Sequence, residues 1–241
     1  MKASLEQVQK TLNVVRILNE HDIPCCCVGV SALKFYGANR MRSTWEICVP
    51  ADQVTAAENL FRSDDAFSVL PPKGFCPGSR IDTYSVFGTR ESHHEFLIMP
   101  DYDVHLDCRS LDIVHSLRGL PYPSLKAFAQ SCLDRRNQLE LCDLIDGSNV
   151  SEEWGEENLD LNGVHDVDWV RTMQAKKGSC RRWWPTRPKE KRAVWQDFVR
   201  TKEQRLDDSR PPSRNVEYVM KDNSWQRKYE QHFQCACINT T

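Results

Sequence analysis

Six uncharged residues in a row, Cys25-Cys26-Cys27-Val28-Gly29-Val30, follow Pro24 and precede a segment of helical spacing. No other stretch limits the fold as tightly. A run this short and apolar suits a strand buried on both faces, and the proline ahead of it stops whatever helix came before. Gly29 then supplies a turn, and SALKFYG reads as a helix with Ser31 as its N-cap and Gly37 as its stop. Strand, tight turn and helix in that order imply a sheet with helices packed on it.

The surrounding sequence extends the pattern. Leu5, Val8, Leu12, Val15 and Leu18 keep helical spacing ahead of Pro24, and TWEICVP is a second apolar run followed by a helical ADQVTAAENLFRS. FSVL, TYSVFG, HEFLIMP and DYDVHLDC read as strands parted by glycine, proline and charge. From Pro123 the period changes, with PSLKAFAQSCLDR and NQLELCDLIDG forming a helix pair that Gly147 closes. The expectation is an α/β (α+β) core over residues 1–148, a mixed sheet flanked by helices, and a helical C-terminal region over 149–241.

Charge divides at a similar place. Residues 1–170 hold 15 Lys and Arg against 26 Asp and Glu, whereas 171–241 hold 17 against 8. Arg181, Arg182, Trp183 and Trp184, then Lys189, Lys191, Arg192 and Trp195, mix cations with aromatic rings. That mixture suits single-stranded nucleic acid, which offers phosphates to the cations and bases for stacking. It equally suits an ordinary amphipathic helix with Trp195 and Phe198 buried and the charges solvated, and the basic tail as a whole could lie against the chain's own acidic stretch SEEWGEENLDLNGVHDVDW.

Eleven cysteines raise the question of a disulfide scaffold, but the number is odd and three are adjacent. MKASLEQVQK at the start lacks the apolar segment of a signal peptide, and no apolar stretch reaches the length of about 18 residues needed to cross a membrane. The expectation is therefore a reduced, intracellular, cytoplasmic protein with no membrane contact, its cysteines serving as small hydrophobes. His93-His94 and Cys235-x-Cys237 lack the ligand spacing of a zinc set.

Chemistry concentrates on two segments. As strands, TWEICV places Thr44, Glu46 and Cys48 on one side, and DYDVHLD places Asp101, Asp103, His105 and Asp107 on one side. Clustered carboxylates of this kind are either a solvated strand face or a site for a hard divalent cation.

Strand CCCVGV, the Gly29-Val30-Ser31 turn, the helix to Tyr36-Gly37, Arg40 and Arg42, then an acidic strand, resembles the start of the nucleotidyltransferase fold, the superfamily of DNA polymerase beta and the antibiotic nucleotidyltransferases. The resemblance covers roughly residues 10–147. It implies a turn that cradles phosphates, and Gly29, Val30, Ser31, Arg40 and Arg42 are the corresponding nucleotide-binding candidates. It also implies an Asp-x-Asp pair on the second strand and a third carboxylate on a later one. Here Thr44-Trp45-Glu46 keeps only the second member, and Asp107, with Asp103 as fallback, matches the third. LPYPSLKAFAQSCLDRRNQLELCDLID resembles the helix pair in which such proteins place Lys or Arg behind the site. WEICVP, LPYPSLKAFAQS and SEEWGEENLDL further resemble a fungal group built on this fold.

By that resemblance Glu46 and Asp107 would hold Mg2+ with a nucleoside triphosphate. Transfer in this family uses two ions roughly 3.5 to 4 Å apart, held by three carboxylates, and Thr44 removes one of them. The expectation is a nucleotidyltransferase-like protein with an incomplete catalytic set of Glu46, Asp107 and Asp103. It would bind a nucleotide or a protein partner without catalysis or with weak activity. The alternative is an active magnesium-dependent enzyme that transfers a nucleoside monophosphate to a small molecule, a protein or an RNA end.

Overall fold

In the computed structural model, which describes residues 5–74, 80–90, 94–177 and 187–206, the opening pattern forms α1 (Leu5–Glu20). Its buried residues Thr11, Val14, Val15 and Leu18 share one side, as the apolar spacing requires. The six-residue apolar run yields only a two-residue strand, β1 (Cys26–Cys27), antiparallel to β2 (Trp45–Val49). Val28 N–H still donates to the Glu46 carbonyl at 3.0 Å, but Gly29 at φ +55° leaves the strand direction and starts α2 (Gly29–Phe35). Ser31 is therefore not the N-cap: Val28 holds that position, and Ser31 lies buried inside the first turn. Gly37 does end the helix, at φ +98°, with Ala38 N–H donating to the Leu33 carbonyl at 2.9 Å.

The chain continues through α3 (Val54–Ser63), β3 (Phe67–Leu70), β4 (Val86–Thr89) and β5 (Glu95–Pro100). The sheet order is β1-β2-β5-β4-β3, with β2 and β5 parallel and every other pair antiparallel. This is the expected mixed sheet flanked by helices.

DYDVHLDC is not a strand. Pro100 ends β5, and Asp101–Val104 forms a 3-10 turn closed by His105 at φ +52°. The Asp101 carboxylate explains the change, because it accepts the N–H groups of Tyr102 at 2.8 Å, Cys108 at 3.1 Å and Ala51 at 3.0 Å. A short acidic side chain that captures local amides competes with the sheet ladder. Asp103, His105 and Asp107 thus share no strand face.

A small second sheet, β6 (Ile113–His115) with β7 (Pro121–Pro123), escaped the sequence reading because its prolines look like breakers. Then come α4 (Leu125–Asp134) and α5 (Gln138–Ser148), capped by Ser124 and Asn137. Gly147 lies inside α5, which ends instead at Asn149 with φ +55°. A Cβ at Gly147 would press on the backbone of Gly37 and Ala38, so this glycine lets α5 approach the turn after α2.

Helices α6 (Glu152–Asn158), α7 (Val167–Lys177), α8 (Lys191–Arg200) and α9 (Lys202–Leu206) follow. Trp195 is fully buried among the same apolar side chains as Leu18, Ile47 and Leu141. It packs on Trp154, with ring centroids 5.8 Å apart, and on Gly155, where a Cβ would overlap its indole. Around it basic side chains meet the acidic stretch. Arg200 pairs with Glu152 at 2.6 Å, Arg192 with Glu156, and Lys191 with Asp160 at 3.4 Å. Of the two residues expected to be buried on this helix, Trp195 is buried and Phe198 is half-buried. His93, Arg181, Arg182, Trp183, Trp184, Cys235 and Cys237 lie outside the described residues.

The sheet has two apolar faces. Trp45, Ile47, Val49, Phe87, Phe96 and Ile98 face the main helical core. Cys26, Val28, Cys48, Val86, Leu97 and Met99 face the other way, covered by Tyr84, Val104 and Cys108. No helix among the described residues is long and apolar enough to cross a membrane.

Candidate functional site

The expected site begins where β1 gives way to α2. Val28 offers no side-chain cap, so the first amides of α2 need an acceptor from elsewhere. Glu46 supplies it from the neighbouring strand: its carboxyl accepts the Val30 N–H and lies directly against the Cα of Gly29, where a Cβ would overlap it. Only glycine combines that closeness with a φ of +55°.

Glu46 is half-buried on the cysteine-bearing side of β2. Burial pushes its pKa up to about 8, Glu140 adds to the rise, and Arg135 with the Val30 amide opposes it. The acid is thus mostly protonated at neutral pH. Near it the buried Arg135, which follows α4, pairs at 2.7 Å with the half-buried Glu140 of α5, and Cys132 is in contact with both. Arg135 and Glu140 were not singled out from the sequence; the only signal was the likeness of LPYPSLKAFAQSCLDRRNQLELCDLID to a helix pair that sets a cation behind the site.

The remaining candidates are drawn to other partners. Arg40 makes a two-pronged bond to Asp143 at 2.6 and 2.9 Å. Arg42 lies over the Trp45 ring, 3.3 Å from its centroid, and reaches Ser31 Oγ at 3.4 Å. Thr44 is buried, and its hydroxyl has no hydrogen-bond partner among the described residues.

Asp103 is buried and accepts hydrogen bonds from Arg80 and from the Tyr84 hydroxyl at 2.7 Å, with Lys176 at 3.5 Å. Asp107 is exposed and accepts the Ser110 hydroxyl at 2.8 Å and the Arg109 N–H at 3.0 Å, and the Ser110 bond foremost lowers its pKa. His105 Nε2 lies 3.0 Å from Asp166 and packs edge-on to Trp169. The structure therefore brings Glu46, Gly29 and Val30 together. Among the described residues no hydrogen bond or ion pair joins Glu46 to Asp103 or Asp107.

Two-ion magnesium chemistry needs about three ionised carboxylates converging on a small volume. Among the described residues Glu46 is the carboxylate in contact with the Gly29 turn, the nearby Glu140 is paired with Arg135 at 2.7 Å, and Asp103 and Asp107 are held by other partners. The described residues do not fit such a centre.

No family model matches the sequence, and no curated protein matches it. Solved structures do. A solution structure of the antibiotic-resistance factor ANT(2'')-Ia is 9% identical over 97% of this chain and 96% of that one, with a TM-score of 0.35. A crystal structure of ANT(2'')-Ia in complex with adenylyl-2''-tobramycin is 11% identical over 95% and 99%, also at 0.35. JHP933 from Helicobacter pylori is 9% identical over 99% of this chain and 100% of that one, again at 0.35.

Proposed function

We propose that this chain is a nucleotidyltransferase-like protein with an incomplete carboxylate set, which binds a nucleotide without efficient transfer. The observation that carries the reading is Glu46, whose carboxyl is already engaged in capping α2 through the Val30 N–H and lies against Gly29. Thr44 supplies no charge in the neighbouring position, and Asp103 is already committed to Arg80, Tyr84 and Lys176. Removing one member from a group of residues that act together usually costs most of the rate. In this reading phosphate takes the place of the Glu46 carboxyl at the Val30 amide.

Calorimetry with ATP, GTP, CTP and UTP, each with and without Mg2+, tests this directly. The expected result is binding of at least one triphosphate, with no pyrophosphate released above the uncatalysed background. Glu46→Gln, which keeps the neutral shape, should bind about as well as the wild type. Pyrophosphate release that disappears in both Glu46→Gln and Asp107→Asn would establish an active transferase instead. Failure of every triphosphate to bind at millimolar concentration would leave a protein-partner role.

A further inference from the structure

On the sheet face away from the main core, three cysteines from three separate elements converge. Cys26 comes from β1, Cys48 from β2, and Cys108 from the turn after the 3-10 segment. All are buried and unbridged, and their sulfurs lie within 4.8 Å of one another. The sulfurs of Cys48 and Cys108 are 3.5 Å apart.

Two constraints hold them there. Cys26 and Cys48 are direct neighbours across the antiparallel β1–β2 ladder, where facing side chains must approach. Cys108 is held through its backbone N–H, which donates to Asp101 Oδ2 at 3.1 Å, and the other Asp101 oxygen is fixed by the amides of Ala51 and Tyr102. The arrangement is set by the backbone before any ligand arrives.

We propose that Cys26, Cys48 and Cys108 form a thiolate site for a thiophilic d10 cation, Zn2+ or Cu+. Sulfurs around an ion with bonds of about 2.3 Å stand roughly 3.8 to 4.0 Å apart, a shift of less than about 1 Å from the arrangement seen. Val28, Val86, Leu97 and Val104 belong to the same apolar cluster, and the nearby Asp101 carboxylate is already engaged by three backbone amides, so the three sulfurs favour a soft ion over a hard one. Met99 sits beside Cys48 in the β2–β5 register and belongs to the same cluster, a further soft donor. The other described core cysteines, Cys25, Cys27 and Cys132, do not converge this way. Three sulfurs also exceed what a disulfide uses. Binding needs no redox partner: each thiol that ligates releases one proton to the buffer, and the metal keeps its oxidation state.

The test uses the full chain, reduced and stripped of metal under anaerobic conditions. One arm titrates Zn2+, with Co2+ as its spectroscopic substitute, and the other titrates Cu+. One ion per chain is expected, with sulfur-to-cobalt charge-transfer absorption in the near ultraviolet. Affinity should fall at least about tenfold in Cys48→Ala and in Cys108→Ala, and should stay unchanged in Cys235→Ser/Cys237→Ser. Circular dichroism checks folding, and if Cys48→Ala does not fold, Cys108→Ala on the turn decides the question. The proposal fails if neither arm shows a thiolate-bound ion, if Cys108→Ala binds as the wild type does, or if only the Cys235/Cys237 variant loses binding. A Cys48–Cys108 disulfide with no metal uptake after reduction would also overturn it.

Discussion

At Gly29 a left-handed backbone and a carboxyl group press on one Cα, so two penalties should add when a methyl is placed there. Gly29→Ala is expected to cost roughly 2 to 4 kcal/mol, combining the left-handed penalty with overpacking. In a Glu46→Ala background the overlap is gone, and the same substitution should cost only about 1 to 2 kcal/mol, measured by urea unfolding as a double-mutant cycle. Glu46 also makes a prediction about pH. Between its ordinary value of 4.5 and about 8 the folded chain keeps a proton that the unfolded chain has released. Stability from this group is therefore full below the lower value and lost as pH rises through the upper one. Glu46→Gln should flatten that dependence, so that its stability relative to wild type grows from pH 5 to pH 9. Equal pH dependence of the two unfolding midpoints would show that Glu46 is not protonated in the folded state. Glu46 itself was legible from Thr44-Trp45-Glu46. Its proton was not, because that depends on Glu140, Arg135 and the depth of burial, all set by residues far along the chain.

At the scale of elements, α8 shows which of its two kinds of contact matters. Trp195 is wholly buried against Trp154 and Gly155, and Trp195→Ala is expected to cost about 3 to 5 kcal/mol by the cavity it leaves. Arg200 pairs with Glu152 at an exposed surface, and Arg200→Ala should change stability by less than about 1 kcal/mol. Denaturant midpoints of the two variants check the contrast, and comparable losses would mean that the ion pairs, not the indole, dock this helix. The apolar period of α8 was readable in one dimension because burial repeats with the helical turn. The segment from Asp101 to Asp107 shows the opposite case. Its alternation of polar and apolar residues matched a strand, yet one carboxylate, Asp101, collected three amides and bent the backbone into a 3-10 turn. A local alternation cannot report that competition, since one of the three amides, Ala51, is distant in sequence.

Across the molecule, charge and packing divide the chain differently. The balance of charge changes in the C-terminal third, but Val150, Leu159, Leu161, Val194 and Trp195 share one apolar cluster with Leu18, Ile47 and Leu141. A fragment of residues 1–148 is thus expected to lose cooperative unfolding or to unfold at a markedly lower urea concentration than the full chain. A sharp transition at the full chain's midpoint would instead show an independent domain ending there. The alternation of strands and helices from α1 to β5, the apolar faces of α1, α4 and α8, and the glycine turn after β1 were determined by the sequence alone. Each follows from a repeat of two or about 3.6 residues, or from a glycine or proline acting on its own backbone. Only the folded chain decided that Glu46 would cap α2 as a neutral acid, that Asp103 and Asp107 would turn to separate partners, and that three cysteines would meet across the far face of the sheet. Those outcomes rest on distances and burial between residues tens of positions apart, which no local period encodes.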